Sequence, residues 1–340
     1  MGCNLKDLSN PIKIDLDHLA GKKIGIDAFL VAFQFLTSIR DRSATGDGGP
    51  LKDSQGRPVS HLMGFLDRTT GLLEKGIIPV FIFDGTHPDL KAETIASRKK
   101  SSKDAEKKWK DALEIGDYKE AHKWAQRCVR YTPEMVEETI EMLHLLGVPA
   151  FRAAAEGEAQ AAVMASKGDL DIVATQDWDA LLYGAPILIR NMMSDGSKRM
   201  GRTIKAEKII LNELLIENEL TREELVDLGI MIGTDFHPGI KGIGPKTGMK
   251  LIKKLGTIEK ICAEKEIDIP ENLDLVREIF LNHPINENYD LKLRPVNLEL
   301  LRTWLLSRDF SESRIERNFK RLEKSSQVRN IGQSSLSDFF

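Results

Sequence analysis

Short apolar runs in this chain keep ending on carboxylates. Ile24-Gly25-Ile26 stops at Asp27, and Val80-Phe81-Ile82-Phe83 stops at Asp84. Val148-Pro149-Ala150-Phe151 is soon followed by Glu156 and Glu158, and Ile172-Val173-Ala174-Thr175 by Asp177 and Asp179. Runs of β-branched and aromatic residues separated by helical stretches predict parallel strands in βα units. In such a sheet the site lies beyond the carboxyl ends of the strands, so these acidic side chains point at one place. Helix capping accounts for one or two of them, not for the whole set. Left alone, clustered carboxylates raise each other's pKa. Divalent cations are the natural counter-charge, and an all-oxygen donor set suits Mg²⁺ or Mn²⁺ better than zinc.

The fold class expected is therefore α/β, with a central, mostly parallel sheet flanked by helices. A length of 340 residues allows one large domain or two smaller ones, and 41% hydrophobic residues suffice for a core. No apolar run approaches the roughly 18 residues of a membrane span, and the first residues carry no signal-peptide core. Gly2 invites a lipidation reading, but Lys6 stands where Ser or Thr is expected. Cys3, Cys128 and Cys262 are scattered and odd in number, which points to a reducing compartment without a disulfide framework or zinc site. The net charge of −3 argues against a polyanionic partner for the chain as a whole. Its basic residues cluster, however, and such asymmetry says more about nucleic acid than the total does.

Four regions are expected: 1–85, 86–131, 132–324 and 325–340. Helices are predicted near Phe29–Arg40 and Leu62–Glu74, with Gly-, Asp- and Ser-rich Asp41–Pro58 between them and a tight turn at Asp53–Gly56. Thr86–Arg130 breaks the βα rhythm. It is highly charged, lacks a strong apolar face, and reads either as a solvated helical pair or as an insertion arching over the site. Thr132-Pro133 starts a helix cleanly. From Lys205 onward the pattern is mostly helical, and Ser325–Ser337 reads as a flexible linker.

Two further motifs carry chemistry. Gly239-Ile240-Lys241-Gly242-Ile243-Gly244-Pro245-Lys246 is followed by a helix bearing Lys250, Lys253 and Lys254. Close glycines let backbone approach phosphate, and the helix start turns its N–H groups toward it. Within 225–255 this pattern resembles a helix–hairpin–helix element, which grips duplex backbone without reading sequence. Asp235 lies just before it, within reach of the same acidic site. The terminal Gln333-Ser334-Ser335-Leu336-Ser337-Asp338-Phe339-Phe340 resembles the box that docks on DNA sliding clamps, with Leu336, Phe339 and Phe340 on one side of a helical turn.

Taken together, the chain resembles the flap endonucleases of the structure-specific 5′-nuclease superfamily over nearly its whole length, in an archaeal-type form. The stretches that carry the resemblance are Ile26-Asp27-Ala28, Phe83-Asp84-Gly85, Glu156-Gly157-Glu158, Asp177-Trp178-Asp179, Thr234-Asp235-Phe236 and Gly242-Ile243-Gly244-Pro245-Lys246. The resemblance implies a metal-dependent 5′ flap endonuclease and 5′-3′ exonuclease, acting on branched DNA in Okazaki fragment processing and repair. It implies two Mg²⁺, with Mn²⁺ as substitute, held by Asp27, Asp84, Glu156, Glu158, Asp177, Asp179 and Asp235. Lys91 and Arg98 match the family's catalytic basic pair at the base of a helical arch; their seven-residue spacing places them on one helix face. Gly2, Phe33, Gly242, Gly244, Lys246 and Lys250 match DNA-contacting positions, with Phe33 where the family often has a stacking Tyr. Asp41–Pro58, with Ser60 and His61, would form a wedge against upstream duplex. Gln333, Leu336, Phe339 and Phe340 would bind a PCNA-type sliding clamp. A K⁺ ion at the Gly-rich hairpin, a monomeric state, and a cytoplasmic, nucleoid-associated location in an archaeon (nuclear in a eukaryote) follow from the resemblance alone. Trp178 replaces a smaller residue often found there. A non-catalytic junction binder and a magnesium-dependent phosphatase are the alternatives.

Overall fold

The structure, a computed structural model, describes residues 3–86, 89–199 and 201–337. From the amino end, β1 (Ile12–Ile14) and β2 (Lys23–Asp27) lead into α1 (Ala28–Ser38), α2 (Ser60–Glu74) and β3 (Ile78–Phe83). Two charged helices, α3 (Ala92–Glu114) and α4 (Tyr118–Ala125), then interrupt the alternation. It resumes with α5 (Pro133–Leu145), β4 (Ala150–Arg152), α6 (Gly157–Lys167), β5 (Ile172–Ala174), α7 (Asp179–Leu182) and β6 (Ile187–Arg190). A small ribbon of β7 (Lys198–Arg199) and β8 (Arg202–Thr203) precedes β9 (Ala206–Ile210). The remaining elements are α8 (Leu211–Asn218), α9 (Arg222–Ile232), α10 (Pro245–Leu255), α11 (Ile258–Lys265), α12 (Leu273–Leu281), α13 (Leu298–Leu306) and α14 (Glu312–Ser337).

The main sheet has the order β1-β9-β6-β5-β2-β3-β4. Pairs β2–β3, β2–β5, β3–β4 and β5–β6 are parallel, while β9 runs antiparallel to both β6 and β1. The central strands are buried on both faces, as parallel strands covered by helices must be. One core lies under α6, α7 and α9, and the other under α1, α2, α5 and α14. Gly25 in β2 permits the close seating of α6: a Cβ there would lie 2.6 Å from Leu170 Cδ1 and 3.1 Å from Ala161 Cβ. Chain direction is set locally by caps. Asp27 accepts the Leu30 N–H at 3.0 Å to open α1, and Thr132 with Pro133 opens α5.

The region after Lys205 is mostly helical, as expected, but opens with β9, which completes the sheet and draws β1 onto its outer side. Neither strand has a long apolar run: β1, at the sheet edge, is largely exposed, and β9 beside it carries Glu207 and Lys208 half-buried. The segment 325–337, expected as a flexible linker, has a helical backbone continuous with α14. Its preceding turns are anchored by buried Ile315, Phe319 and Leu322. Propagation from an existing helix needs no new nucleus, and the segment holds no proline to stop it.

Candidate active site

Three parallel strands deliver carboxylates to one edge. Asp27 is the last residue of β2, Asp84 follows β3, and Asp177 lies shortly beyond β5. Glu156 caps α6 and Glu158 sits in its first turn; Asp179 opens α7. Asp235 comes from the loop after α9. Backbone and hydroxyl donors aim them. Asp84 accepts the Gly157 N–H at 2.8 Å, Asp179 the Cys3 N–H at 2.7 Å, and Asp27 the Thr175 hydroxyl at 3.3 Å. Thr175 Oγ1 also receives the Asp177 N–H at 3.2 Å. Cys3 and Thr175 were not singled out as site residues in the sequence. Thr175 sits between a strand and an acidic pair, a position that signals a bridging hydroxyl; Cys3 carried no such signal, because only folding brings it to Asp179.

Like charges crowd the buried part of the cluster. Burial, then the charges of Asp84 and Asp177, raise the Asp27 pKa. Burial followed by Asp177, Asp179 and Asp27 raises that of Glu158 well above its usual range, with Lys91 opposing. Burial and Asp177 likewise raise Asp179. Asp235 goes the other way: burial pushes it up, but surrounding positive charge, including Lys91 and Arg98, brings it below the ordinary carboxylate value. Glu158 Oε2 is buried without a hydrogen-bond partner. An orphaned carboxylate oxygen among buried like charges fits a hard divalent cation.

The expected set of seven ligands is nevertheless not a finished cage. Among the described residues, no three acidic, His or Cys side chains close into a group able to hold an ion as they stand. Mutual repulsion opposes closer approach, and protein cations supply part of the counter-charge. The Lys91 amine pairs with Glu156 and lies 3.4 Å from Asp235. Arg98 donates to both Asp235 oxygens at 2.7 and 2.9 Å. Thr94 ties the same base of α3 to the Asp235 carbonyl at 3.0 Å. Lys91 precedes α3 as its cap residue, so the basic pair converges on Asp235 from a helix and its lead-in, not from one helix face. Trp178, unexplained from sequence, is buried with the Arg190 guanidinium 4.3 Å from its ring centre.

The sequence and fold have known counterparts. Residues 4–105 match the XPG N-terminal domain and residues 147–235 the XPG I-region. The chain is 41% identical over 348 residues to flap endonuclease 1 of Pyrococcus furiosus, covering all of this chain and 99% of that protein. It is 41% identical over 346 residues to flap endonuclease 1 of Methanosarcina acetivorans, with 100% of both covered. The solved flap endonuclease-1 from Methanococcus jannaschii matches with a TM-score of 0.76 at 36% identity, over 96% of this chain and 100% of that one. The chain belongs to the flap endonuclease family. The fold is shared more distantly by the catalytic core of Rad2 in complex with DNA substrate, with a TM-score of 0.71 at 22% identity over 95% of this chain and 100% of that one.

Around the endonuclease's carboxylates lie elements suited to a polyanion. Phe33, half-buried on α1, lines a cleft of about 1150 Å³ together with Arg42, Arg68, Arg127 and Lys198. The 41–58 segment turns tightly, with the Gly56 N–H on the Asp53 carbonyl at 2.9 Å. The charged helices rest on it: Trp109 Nε1 donates to the Asp47 carbonyl at 2.7 Å, and His122 Nε2 lies 3.0 Å from the Gly46 carbonyl. Ser60 and His61 do not belong to an exposed wedge. Both are fully buried, Ser60 accepting the Leu51 N–H at 2.7 Å, because the first turn of α2 faces the core.

In the Gly-rich hairpin, Gly239 (φ 87°) and Gly242 (φ 84°) take the left-handed conformation that glycine adopts freely. Gly242 and Gly244 are exposed ahead of α10. Lys253 and Lys254 pair with Glu219 and Glu264, whereas Lys246 and Lys250 are exposed without an ion pair among the described residues. Arg277 on α12 braces the unit from behind, gripping Asp227 of α9 through two bonds of 2.7 Å and Glu259 of α11 at 2.5 and 3.0 Å. Gly2, Phe339 and Phe340 lie outside the described residues; Gln333 and Leu336 fall on the helical backbone of α14.

Proposed function

We propose that the endonuclease hydrolyses one phosphodiester near the base of a 5′ DNA flap, leaving a 5′-phosphate and a 3′-hydroxyl, and also degrades 5′ ends exonucleolytically. The observation that carries this reading is the buried and half-buried, mutually repelling carboxylate set faced by Lys91 and Arg98. Asp27, Asp84, Glu156, Glu158, Asp177, Asp179 and Asp235 would hold two Mg²⁺, or Mn²⁺ in their place. Such ions supply water activation and leaving-group stabilisation when bound.

The protein's own residues supply placement. Lys91 and Arg98, held at the cluster's mouth, turn to the scissile phosphate and neutralise charge as it builds, in a site whose dipoles are already oriented. Phe33 stacks on the nucleotide at the cut, which must unpair at a cost of a few kcal/mol. Gly242, Gly244, Lys246 and Lys250 hold downstream duplex by its backbone, and a K⁺ held at the Gly-rich hairpin would add positive charge there. Phosphate contacts make binding fall steeply with salt. The segment 86–131 admits the free 5′ end. Gln333, Leu336, Phe339 and Phe340 plug a PCNA-type clamp, which places the enzyme in Okazaki fragment processing and repair.

The test is cleavage of a labelled double-flap DNA with Mg²⁺ and with EDTA, beside a matched blunt duplex. Metal-dependent release of the flap with little cutting of the duplex is expected, and Asp179→Ala should abolish cleavage while junction binding persists. Binding without cleavage in Mg²⁺ or Mn²⁺ would overturn the catalytic reading.

A further inference from the structure

A row of aromatic rings joins the cleft to the root of the charged helical pair. Phe33 faces Phe29, one turn earlier on α1, with ring centres 5.3 Å apart. Phe29 meets the ring of Tyr131 at 5.5 Å and 63°, and Tyr131 meets His61 at 5.7 Å and 65°. All three separations fall in the range of favourable ring pairs. Tyr131 ends the 86–131 segment, immediately before the Thr132 cap of α5. It is buried, and its hydroxyl donates to Thr139 Oγ1 at 2.7 Å; Thr139 in turn donates to the Met135 carbonyl at 2.7 Å. Tyr131, within the row, is thus tied to α5, while Phe33, at one end, opens onto the basic cleft. His61 stands at the start of α2, directly after the 41–58 segment.

We propose that Tyr131 is a positioning residue for Phe33. Rings in tilted and edge contact at these distances cannot shift independently, because packed interiors leave no slack for one to move without the next. Phe29 and Phe33 also share a helix face, being four residues apart. Movement of the arch root therefore reaches the ring on which the unpaired nucleotide stacks. Settling of the arch around a 5′ strand and capture of the unpaired nucleotide become one event. The inference rests on the stacking role given to Phe33 and goes beyond it by naming the residues that set that ring.

The test compares single-turnover cleavage of two flap DNAs, one paired at the cut and one carrying a mismatch there, which removes the need to unpair. Tyr131→Leu and Phe29→Leu should each slow cleavage of the paired DNA by about tenfold or more, within what loss of support for an unpaired nucleotide can cost. The mismatch should restore most of that rate, with junction affinity unchanged. Tyr131→Phe, which keeps the ring, should recover the rate that Tyr131→Leu loses. If Tyr131→Leu does not fold, Phe29→Leu decides. Phe33→Leu serves as reference. If it is rescued by the mismatch but neither relay variant is, the coupling is overturned and the stacking role stands. If Phe33→Leu is not rescued, the stacking role falls and the coupling falls with it.

Discussion

Removing the amine of Lys91 tests the electrostatic account most directly. The side chain is only 10% exposed, and its two partners, Glu156 and Asp235, are 4% and 13% exposed. Burial works against its charge, but Glu156 and then Asp235 outweigh burial and raise its pKa, so the amine stays protonated. Lys91→Met keeps the stem and removes the charge. Glu156 is then left beside Glu158, Asp177 and Asp179 with its Lys91 partner gone. Breaking a buried pair from one side costs about 3 kcal/mol. At about 2 °C per kcal/mol for a chain of this size, the melting temperature in EDTA should fall by about 6 °C. A divalent cation supplies the missing charge, so the deficit should shrink when Mg²⁺ is added. Flap cleavage in Mg²⁺ should still drop by about 100-fold, the usual consequence of losing one preorganised donor, while junction binding changes much less. Calorimetry in EDTA and in Mg²⁺, with cleavage and binding on the same DNA, reads all of these. A variant as stable as the parent in EDTA, or equal losses of binding and cleavage, would refute the reasoning.

Arg277→Met should lower stability by about 3 kcal/mol, since it strands Asp227 in the interior, and Arg277→Lys should restore little because an ammonium cannot repeat the paired geometry; equal urea midpoints for Lys and Arg would contradict this. His61 is fully buried, neither ring nitrogen has a hydrogen-bond partner among the described residues, and burial holds its pKa down to about 3. The unfolded chain takes up a proton there below about pH 6.5 that the folded chain refuses, so stability should fall with pH from about 6.5 toward 3, by up to about 1.4 kcal/mol per unit. His61→Phe should flatten that limb, and an unchanged pH slope in urea unfolding would rule His61 out as its source. Deleting Ser335–Phe340 should leave intrinsic cleavage intact and abolish stimulation by a PCNA-type clamp; unchanged stimulation would remove the tail's assigned role.

Much of the candidate site was legible in the chain itself. Strand-ending carboxylates, the spaced glycines before Pro245 and the lysines after it are local patterns, and local patterns survive without coordinates. A parallel βα unit brings the carboxyl ends of its strands to one side whatever the loops do, so the convergence of Asp27, Asp84 and Asp177 needed only the period of the apolar runs. Other features depend on distant segments meeting. The sequence has no way to say that Cys3 would hold Asp179, that Lys91 would turn inward to Glu156, or that Arg190 would cover Trp178, because each pairing depends on how separate elements pack. Nor could it show that Ser60 and His61 face the core; the resemblance placed them beside a wedge, and only the packing of α2 decided otherwise. Periodicity and composition thus determined the kinds of element and the chemistry they carry. The tertiary structure alone decided which charges neutralise one another and which rings touch, since burial and distance set those energies and neither is a property of a residue in isolation.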